Sequence, residues 1–260
     1  MRRGAFLLYA TVVCPIRWDQ PPLDCGGLLP FALEGVMLKI IKNDKDSKIL
    51  IMTPLLKTET ITHKISKETE RSIKRNEIPY TWATYSGSGK HAANVQNGLD
   101  EYQNRYPLPP YILILDDDII LGRYFLDRMF ACLQKTEDYI GFAYCPFEYW
   151  GHINVKFPPM PYDIEKLVNG NYISSNSLYK TKVVLEVGGF VIQEKYHRLS
   201  DWAFFLKLFK AGYIGKLCEK TSFVAISKPS DISAQGHEEF NKTKEDIYQD
   251  FILPMKEGKK

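Results

Sequence analysis

The sequence contains few cysteines and no paired cysteine motif. The five cysteines are Cys14, Cys25, Cys132, Cys145 and Cys218, with no C-x-x-C pair and no histidine at the spacing of a zinc site. This absence argues against a zinc centre and against the disulfide framework of a small secreted domain, and it favours a reducing compartment. We therefore expect a cytoplasmic protein.

Long apolar runs and a strong charge of one sign are also missing. No apolar stretch reaches the roughly 18–20 residues that a membrane-spanning helix needs, and the net charge is only +3. Because the lysines are scattered rather than grouped into a basic arm, no nucleic-acid partner is expected. With 45% apolar and 25% charged residues in a chain of 260, the composition is that of a globular protein with a sizeable core.

The first 36 residues lack lysine, although the rest of the chain is rich in it. They also carry proline and glycine at high density, and two arginines precede the apolar run AFLLYATVVC. A targeting segment is one interpretation, but no small-x-small cleavage site follows the run cleanly. We expect an N-terminal extension over 1–36 outside the core fold, a folded domain over 37–232 and a helical tail over 233–260.

From about residue 48, short apolar runs alternate with amphipathic stretches. The strand candidates are KILIMTPL, which Pro54 should end, then YTWATYS, YILILDDD and YIGFAYCPF. Helical periodicity is found in ETITHKISKETERSIKRN, HAANVQNGLDEY, GRYFLDRMFACLQK and, most clearly, LSDWAFFLKLFKAGY. Residues 150–180 are expected to form irregular, aromatic-rich loops. This alternation predicts an α/β fold with a mostly parallel sheet covered by helices.

Three adjacent carboxylates, Asp116, Asp117 and Asp118, directly follow a buried-strand pattern. Ligands of open parallel sheets bind beyond the carboxyl ends of the strands, where these residues should lie. Two carboxylates about 4 Å apart repel by roughly 4 kcal/mol at an effective dielectric of about 20, so a proton, a basic group or a cation must neutralise them. Hard oxygen ligands suit Mg²⁺ or Mn²⁺, which bridge phosphate oxygens. The alternative is a solvated turn that merely ends the strand.

These acids resemble the Asp-x-Asp motif of family 2 glycosyltransferases, and VVLEVGGF followed by LSDWAFFLKLFKAGY resembles that family's Gly-Gly-Phe, Glu-Asp-Trp and Ala-Gly-Tyr pattern. The resemblance covers about residues 48–227 and implies a Rossmann-like GT-A fold. It places the nucleotide and the metal at Asp116 and Asp118, with Asp117 between them. It also implies that Asp201 is the base that deprotonates the acceptor hydroxyl. On spacing alone, Asp201 could equally be a first-turn acid that complements the helix dipole.

The sequence departs from the family pattern at two points. Ser200 stands where the family has an acid before Asp201, although serine is a good N-cap and should preserve the start of the helix. The second strand, within YTWATYSGSG, ends without the aspartate that reads the nucleotide base in the family. The base specificity is therefore left open.

A third similarity concerns nucleotide contacts. GSGKHAANVQNGL resembles the family's Gly-Lys loop, which implies nucleotide contacts for Lys90, Asn94 and Asn97, while Thr53-Pro54 resembles the first-strand turn beside the nucleotide. A surface turn with a helix cap is the alternative. The segment is not a P-loop. That motif requires glycine at position 84, where this chain has Thr84, and serine or threonine at position 91, where it has His91.

Aromatic residues supply the acceptor-side candidates. Tyr149, Trp150 and Tyr162 lie in the expected loop region, where a sugar could stack on them. Trp202 is either a further stacking residue or, from the helix stripe, a core residue. His237 is a late candidate for binding a metal or phosphate, with a plain surface histidine as the alternative.

The resemblance implies a glycosyltransferase that uses Mn²⁺ or Mg²⁺, a nucleotide-sugar donor and a saccharide, lipid-linked or protein acceptor, with inversion at the transferred sugar. It suggests polysaccharide or glycoprotein assembly on the cytoplasmic side, with peripheral contact at the inner face of the membrane if the acceptor is lipid-linked. Two alternatives stay open: a nucleotidyltransferase on the same sheet, and a nucleotide- or sugar-binding module without turnover.

Overall fold

The computed structural model describes residues 37–56, 64–87, 90–229 and 237–257, which form a mixed α/β structure. In this part of the chain the strands are β1 (Met37–Asn43), β2 (Ile49–Leu56), β3 (Tyr80–Gly87), β4 (Tyr111–Ile114), β5 (Ile119–Leu121), β6 (Ile140–Tyr144), β7 (Phe147–Gly151), β8 (Val155–Phe157), β9 (Leu178–Lys180), β10 (Ile214–Leu217) and β11 (Phe223–Ser227). The helices are α1 (Lys67–Ile73), α2 (His91–Arg105), α3 (Phe125–Leu133), α4 (Ile164–Leu167), α5 (Thr181–Glu186), α6 (Ser200–Lys210), α7 (His237–Ile247) and α8 (Leu253–Glu257). A 3-10 helix, Glu194–Leu199, leads directly into α6, and a π-helical segment, Tyr248–Ile252, joins α7 to α8. The predicted extension over 1–36 lies outside the described residues.

The central sheet has seven strands in the order β1-β3-β2-β4-β9-β6-β10. Strands β2, β3, β4, β6 and β10 run in one direction, while β1 and β9 run in the other. The predicted mostly parallel sheet is therefore confirmed. The strands β2 and β4 are apolar at nearly every position because helices cover both faces of the sheet.

The two faces of the sheet carry separate cores. Within β2, Leu50 and Met52 pack into the core that contains α2 and α6, whereas Ile49 and Ile51 pack into the core that contains α1 and α3. This alternation is the period-2 pattern of a strand buried on both sides. None of the helices in the described ranges is long and apolar enough to cross a membrane.

A second sheet begins at the acidic turn. It has four strands in the order β5-β11-β7-β8, and its first strand, β5, directly follows Asp118. The chain thus leaves the central sheet at β4, turns through the three aspartates, and enters the second sheet. The acids consequently lie at the junction of the two sheets, beyond the carboxyl end of β4.

Two expectations about strands are wrong. Strand β2 does not end at Pro54 but continues to Leu56. Because β4 pairs only with Ile49–Met52, β2 has no partner on that side at Pro54, and a residue without an N–H is tolerated there. The expected irregular region over 150–180 contains β8, α4 and β9, and β9 pairs antiparallel between β4 and β6. With three residues, β9 is too short to show a periodic pattern.

Candidate active site

The acidic turn is fixed through its backbone. The carbonyl oxygen of Asp117 accepts hydrogen bonds from Ser66 N–H at 2.8 Å and from the Thr69 hydroxyl at 3.1 Å, both at the start of α1. The carbonyl oxygen of Asp118 accepts a hydrogen bond from Ile226 N–H in β11 at 3.2 Å. Helix α1 and strand β11 therefore fix the backbone of Asp117 and Asp118.

Asp116 lies in a dense set of hydrogen bonds. His91 Nε2 is 2.7 Å from Asp116 Oδ1, and Asn176 Nδ2 donates to Asp116 Oδ2 at 3.0 Å. The Asp116 N–H in turn donates to Asn176 Oδ1 at 2.9 Å. Burial by itself raises the pKa of Asp116, but the charge and hydrogen bond of His91 and the hydrogen bond of Asn176 outweigh it, so the pKa is lowered. Asp116 is thus a fixed carboxylate at neutral pH.

His91, the first residue of α2, lies among the acids. Burial lowers its pKa, yet attraction to Asp116, Asp201 and Asp117 raises it above the usual value. The imidazole therefore carries a positive charge more readily here than in water. Sequence reasoning noted His91 only as a departure from a P-loop. Its one sequence signal is its position, directly after a glycine-rich loop and at the start of a helix.

Asp201, the second residue of α6, is the other acid of the site. Its Oδ1 accepts a hydrogen bond from Trp202 N–H at 2.8 Å, and its Oδ2 accepts one from Asn171 Nδ2 at 2.9 Å. Burial raises the pKa of Asp201 to about 6, against the Trp202 N–H and the charge of His91, which lower it. His91 and Asp201 also line the same small pocket of about 20 Å³. A carboxylate with this pKa has the properties of a general base near neutral pH.

The start of α6 differs from the expectation for Ser200. The N-cap residue is Leu199, without a side-chain hydrogen bond, and Ser200 is the first helical residue and is buried. Because the preceding 3-10 helix runs directly into α6, the first turn is not an exposed helix end that needs a serine cap. The Asp201 carboxylate itself accepts a hydrogen bond from a first-turn amide.

The residues present fit a metal only if the substrate completes the site. Carboxylates are the hard donors that Mg²⁺ and Mn²⁺ take, but both oxygens of Asp116 are already engaged by His91 and Asn176. Over the described ranges, no three His, Cys, Asp or Glu side chains lie close enough together to hold one ion. A cation at Asp118 would therefore take most of its ligands from a diphosphate and water, as Mg²⁺ commonly does.

Outside the acidic turn, the predicted nucleotide-binding residues lie in the second half of β2, at the N-cap of α2 and on α2. Thr53 is fully buried, and its hydroxyl accepts a hydrogen bond from the Trp82 indole at 3.1 Å. Asn94 is buried and donates to the Gly87 carbonyl at 3.1 Å, which ties α2 to the end of β3. These two side chains serve the fold directly.

The remaining nucleotide candidates differ in exposure. Pro54 is buried within β2, while Asn97 is exposed on α2. Lys90 is also exposed, and its Nζ lies 3.6 Å from Glu194 Oε1. Of the seven predicted nucleotide contacts, Asp116 and Asp117 are half-buried in the acidic turn, and Lys90 and Asn97 are the two whose side chains are exposed.

The acceptor-side candidates separate into a core residue and surface residues. Trp202 is 2% exposed and donates its indole N–H to the Leu167 carbonyl at 2.7 Å, so it packs in the core and offers no face to a sugar. Trp150 is 51% exposed on β7, beside the half-buried Tyr149. Tyr162 lines an open hollow of about 520 Å³ that contains neither Asp201 nor the three acids. The His237 side chain lies outside the described residues.

Two asparagines were missed by sequence reasoning. Asn171 holds Asp201, and Asn176 holds Asp116. Both lie in NGNYISSNS, a segment of turn-forming residues directly before β9. That composition predicts a loop, but only the fold brings each amide to its carboxylate.

A scan of protein-family models finds no match for this chain, and a search of curated proteins finds no relative. Solved structures do show a similar fold. S. aureus TarS 1-349 in complex with UDP-GlcNAc is 11% identical with a TM-score of 0.58, over 77% of this chain and 65% of that chain. The same fragment in complex with UDP is 12% identical with a TM-score of 0.52, over 75% of this chain and 63% of that chain.

The mannosyltransferase PcManGT from Pyrobaculum calidifontis, in complex with GDP-Man and Mn²⁺, is 11% identical, over 70% of this chain and 58% of that chain. Its TM-score of 0.46 is too low to support an argument. The likeness to TarS shows the fold alone, and it confirms the predicted GT-A-like α/β architecture. This chain spans less than two thirds of the TarS fragments it matches.

Proposed function

We propose that this protein transfers a sugar from a nucleotide-diphosphate donor to an acceptor hydroxyl. The observation that carries the proposal is Asp201, a half-buried carboxylate whose pKa is raised to about 6 and which lies in the electrostatic field of Asp116 and His91. A base near neutral pH and a turn of acids beyond the carboxyl end of a parallel strand are the two parts that such a transfer requires.

Asp201 is the residue that acts on the acceptor. With its carboxylate ionised, it takes the proton of the acceptor hydroxyl as that oxygen attacks the anomeric carbon of the donor sugar. Trp202 N–H and Asn171 hold the two carboxylate oxygens and keep them oriented. A single displacement of this kind inverts the configuration at the anomeric carbon.

The acidic turn and His91 are the donor-side residues. Asp116 holds His91, which when protonated would place a positive charge where the departing diphosphate develops its negative charge. Asp118 is the carboxylate that we assign to Mn²⁺ or Mg²⁺, which when bound would neutralise further diphosphate charge. Since TarS has been solved with UDP and with UDP-GlcNAc, UDP-sugars are the first donors to test.

The proposal is tested by replacing Asp201 with asparagine. Removing a general base lowers the rate by about 10²- to 10⁴-fold, while binding of the donor should stay nearly unchanged because Asp116, Asp118 and His91 are intact. Asp100→Asn is the matched control, since Asp100 is an exposed aspartate on α2 that bonds only Gln96 in the described structure. Full transfer by Asp201→Asn would show that Asp201 is not the base.

The products distinguish the rival reactions. A glycosyltransferase releases a nucleoside diphosphate and an inverted glycoside, which NMR of the anomeric proton identifies. Release of pyrophosphate from a nucleoside triphosphate would instead identify a nucleotidyltransferase. Donor binding without consumption would identify a binding module.

A further inference from the structure

One loop contacts both halves of the candidate site. Residues 168–177 connect α4 to β9, and Asn171 and Asn176 lie five positions apart within them. Asn171 donates to Asp201, the acid on the acceptor side, and Asn176 donates to Asp116, the acid on the donor side. Because the two acids are separated by 85 positions in the chain, this loop is a direct physical connection between them.

Asn171 is itself held in place before it reaches Asp201. Its Oδ1 accepts a hydrogen bond from Ile173 N–H at 3.1 Å, which fixes the amide so that Nδ2 points to Asp201 Oδ2 at 2.9 Å. With Trp202 N–H on Oδ1, each oxygen of Asp201 has one fixed donor. An ionised carboxylate offers about four lone-pair sites, so positions remain for the proton of an acceptor. The amide is neutral, so it orients the Asp201 carboxylate without a positive charge. A lysine or arginine at this place would lower the pKa of Asp201 and make it a weaker base.

Asn176 is held in the same way and is 4% exposed. Its Oδ1 accepts the Asp116 N–H, and its Nδ2 donates both to Asp116 Oδ2 at 3.0 Å and to Ser174 Oγ at 3.1 Å. The backbone N–H of Asn176 also donates to Ser174 Oγ at 3.2 Å. Every hydrogen-bonding atom of the Asn176 amide is thus committed to Asp116 or to the loop itself.

The loop is anchored to α6, which carries Asp201, and to β9, which pairs with the strand β4 that precedes Asp116. At its start, the Trp202 indole in α6 donates to the Leu167 carbonyl at 2.7 Å. In its middle, Ile173 is 2% exposed and packs in the core, and at its end Tyr179 in β9 donates to the Ser175 carbonyl at 3.2 Å. These anchors make the loop a rigid link rather than a free surface segment.

We propose that Asn171 is a positioning residue for the base Asp201 and Asn176 a positioning residue for Asp116, so that this loop sets the placement of acceptor relative to donor. The inference rests on the proposed function and goes beyond it, because it assigns the geometry of the reaction to two neutral amides that act through the acids they bond.

The test compares two substitutions on the same loop. Asn171→Leu keeps the side-chain size and removes the donor to Asp201, whereas Asn169→Leu removes an exposed amide whose Nδ2 bonds only the Glu165 carbonyl in the described structure. Misplacing the base should lower kcat about 10- to 100-fold in Asn171→Leu, with donor KM within about twofold. Asn169→Leu should behave as wild type in both constants.

The titration of Asp201 gives a readout that does not depend on turnover. The charged groups around it are His91 and Asp116, with the Tyr179 hydroxyl nearby, and none of them changes in the variant. Losing a donor to the carboxylate raises the pKa of Asp201, so in Asn171→Leu the carbon-13 NMR titration and the acidic limb of kcat should both move to higher pH. An unchanged titration and an unchanged kcat in Asn171→Leu overturn the inference.

Asn176→Asp tests the donor half. The substituted carboxylate still accepts the Asp116 N–H but loses the donor to Asp116 and repels it, so donor KM should rise. Thermal unfolding of each variant shows whether it remains folded. If the Asn171 and Asn176 variants alter the same constant equally, the loop is only structural and the inference is wrong.

The results that would reject the proposed function differ from those that would reject only the positioning role. A wild-type protein that consumes no donor, while Asn171→Leu still shifts the titration of Asp201, rejects sugar transfer and with it the positioning role in catalysis. A wild-type protein that transfers sugar at the same rate as Asn171→Leu rejects only the positioning role.

Discussion

Asp116 and His91 show, at the scale of single residues, how three adjacent aspartates can follow a buried strand. Sequence reasoning required a proton, a basic group or a cation to neutralise them, and the fold brings a basic group, since His91 Nε2 lies 2.7 Å from Asp116 Oδ1. Asn176 then adds a neutral donor to the other oxygen. The protein therefore stabilises at least one of the three negative charges with its own side chains.

The pH dependence of transfer is a prediction at this scale. Because the pKa of Asp201 is raised to about 6, the base is protonated below that pH, and kcat should rise as the pH increases through about 6 and then level off. The steady-state rate, measured between about pH 4.5 and 8, checks it. A flat profile through pH 6 in the wild-type protein would contradict the assignment of Asp201.

The same shift predicts a change in stability of a definite sign. The folded-state pKa of Asp201 lies above its ordinary value of 3.8, so the folded state holds this proton more tightly than the unfolded state does. Its contribution to the free energy of unfolding is therefore present at low pH and lost as the pH rises from about 4 to about 6. Urea unfolding of wild type and Asp201→Asn across this window measures it, and a wild-type stability that gains from ionising Asp201 would contradict it.

At the scale of elements, the Gly-Gly-Phe turn after α5 shows why the chain needs glycine at these two positions. Gly188 and Gly189 have φ values of +73° and +77°, which residues with a Cβ rarely adopt. A Cβ on Gly189 would also collide with the Gln96 side chain in α2, whose Oε1 accepts the Phe190 N–H at 2.8 Å. A Cβ on Gly188 meets nothing within 4 Å. Gly189 is therefore needed both for the backbone conformation of the turn and for close packing against α2, whereas Gly188 is needed for the backbone conformation alone.

This pair makes a matched prediction. Gly188→Ala should lower the free energy of unfolding by about 1–2 kcal/mol, which is the strain of a left-handed residue with a Cβ. Gly189→Ala should lower it by that amount and by about 0.5–1.5 kcal/mol more, because Gln96 must give up its hydrogen bond to Phe190. Urea unfolding of both variants gives the difference. Equal losses, or a larger loss for Gly188→Ala, would contradict the packing described here.

Elements with strong periodicity were predictable, and short ones were not. The stripe Phe125, Met129, Cys132 and Leu133 predicted α3; Cys132 is half-buried and the other three residues are fully buried. Strand β9 has only three residues and takes its place in the sheet from its neighbours β4 and β6. The Ser200 cap was predicted from residue type, but the preceding 3-10 helix removed the need for it.

At the scale of the whole molecule, the architecture could be predicted from the sequence, but the side-chain contacts that build the candidate site could not. The mostly parallel sheet and the acids beyond the end of β4 follow from alternating patterns and chain order. The contacts of His91, Asn171 and Asn176 do not, because each joins residues at least 25 positions apart through a polar side chain without a periodic signature. The likeness to TarS supports the architecture.

Binding of a nucleoside diphosphate with a divalent cation tests the central claim most directly. Thermal unfolding should be followed with UDP, GDP, CDP and dTDP, each with and without Mn²⁺, for wild type and Asp118→Asn. A ligand at about 100 times its Kd adds roughly 2.7 kcal/mol, or about 5–10 °C for a domain of this size. The account predicts a shift of this order that needs both one nucleotide and the metal and is lost in Asp118→Asn. No shift with any nucleotide, or one that is equal in Asp118→Asn and without metal, would contradict a metal-assisted donor site at the three acids.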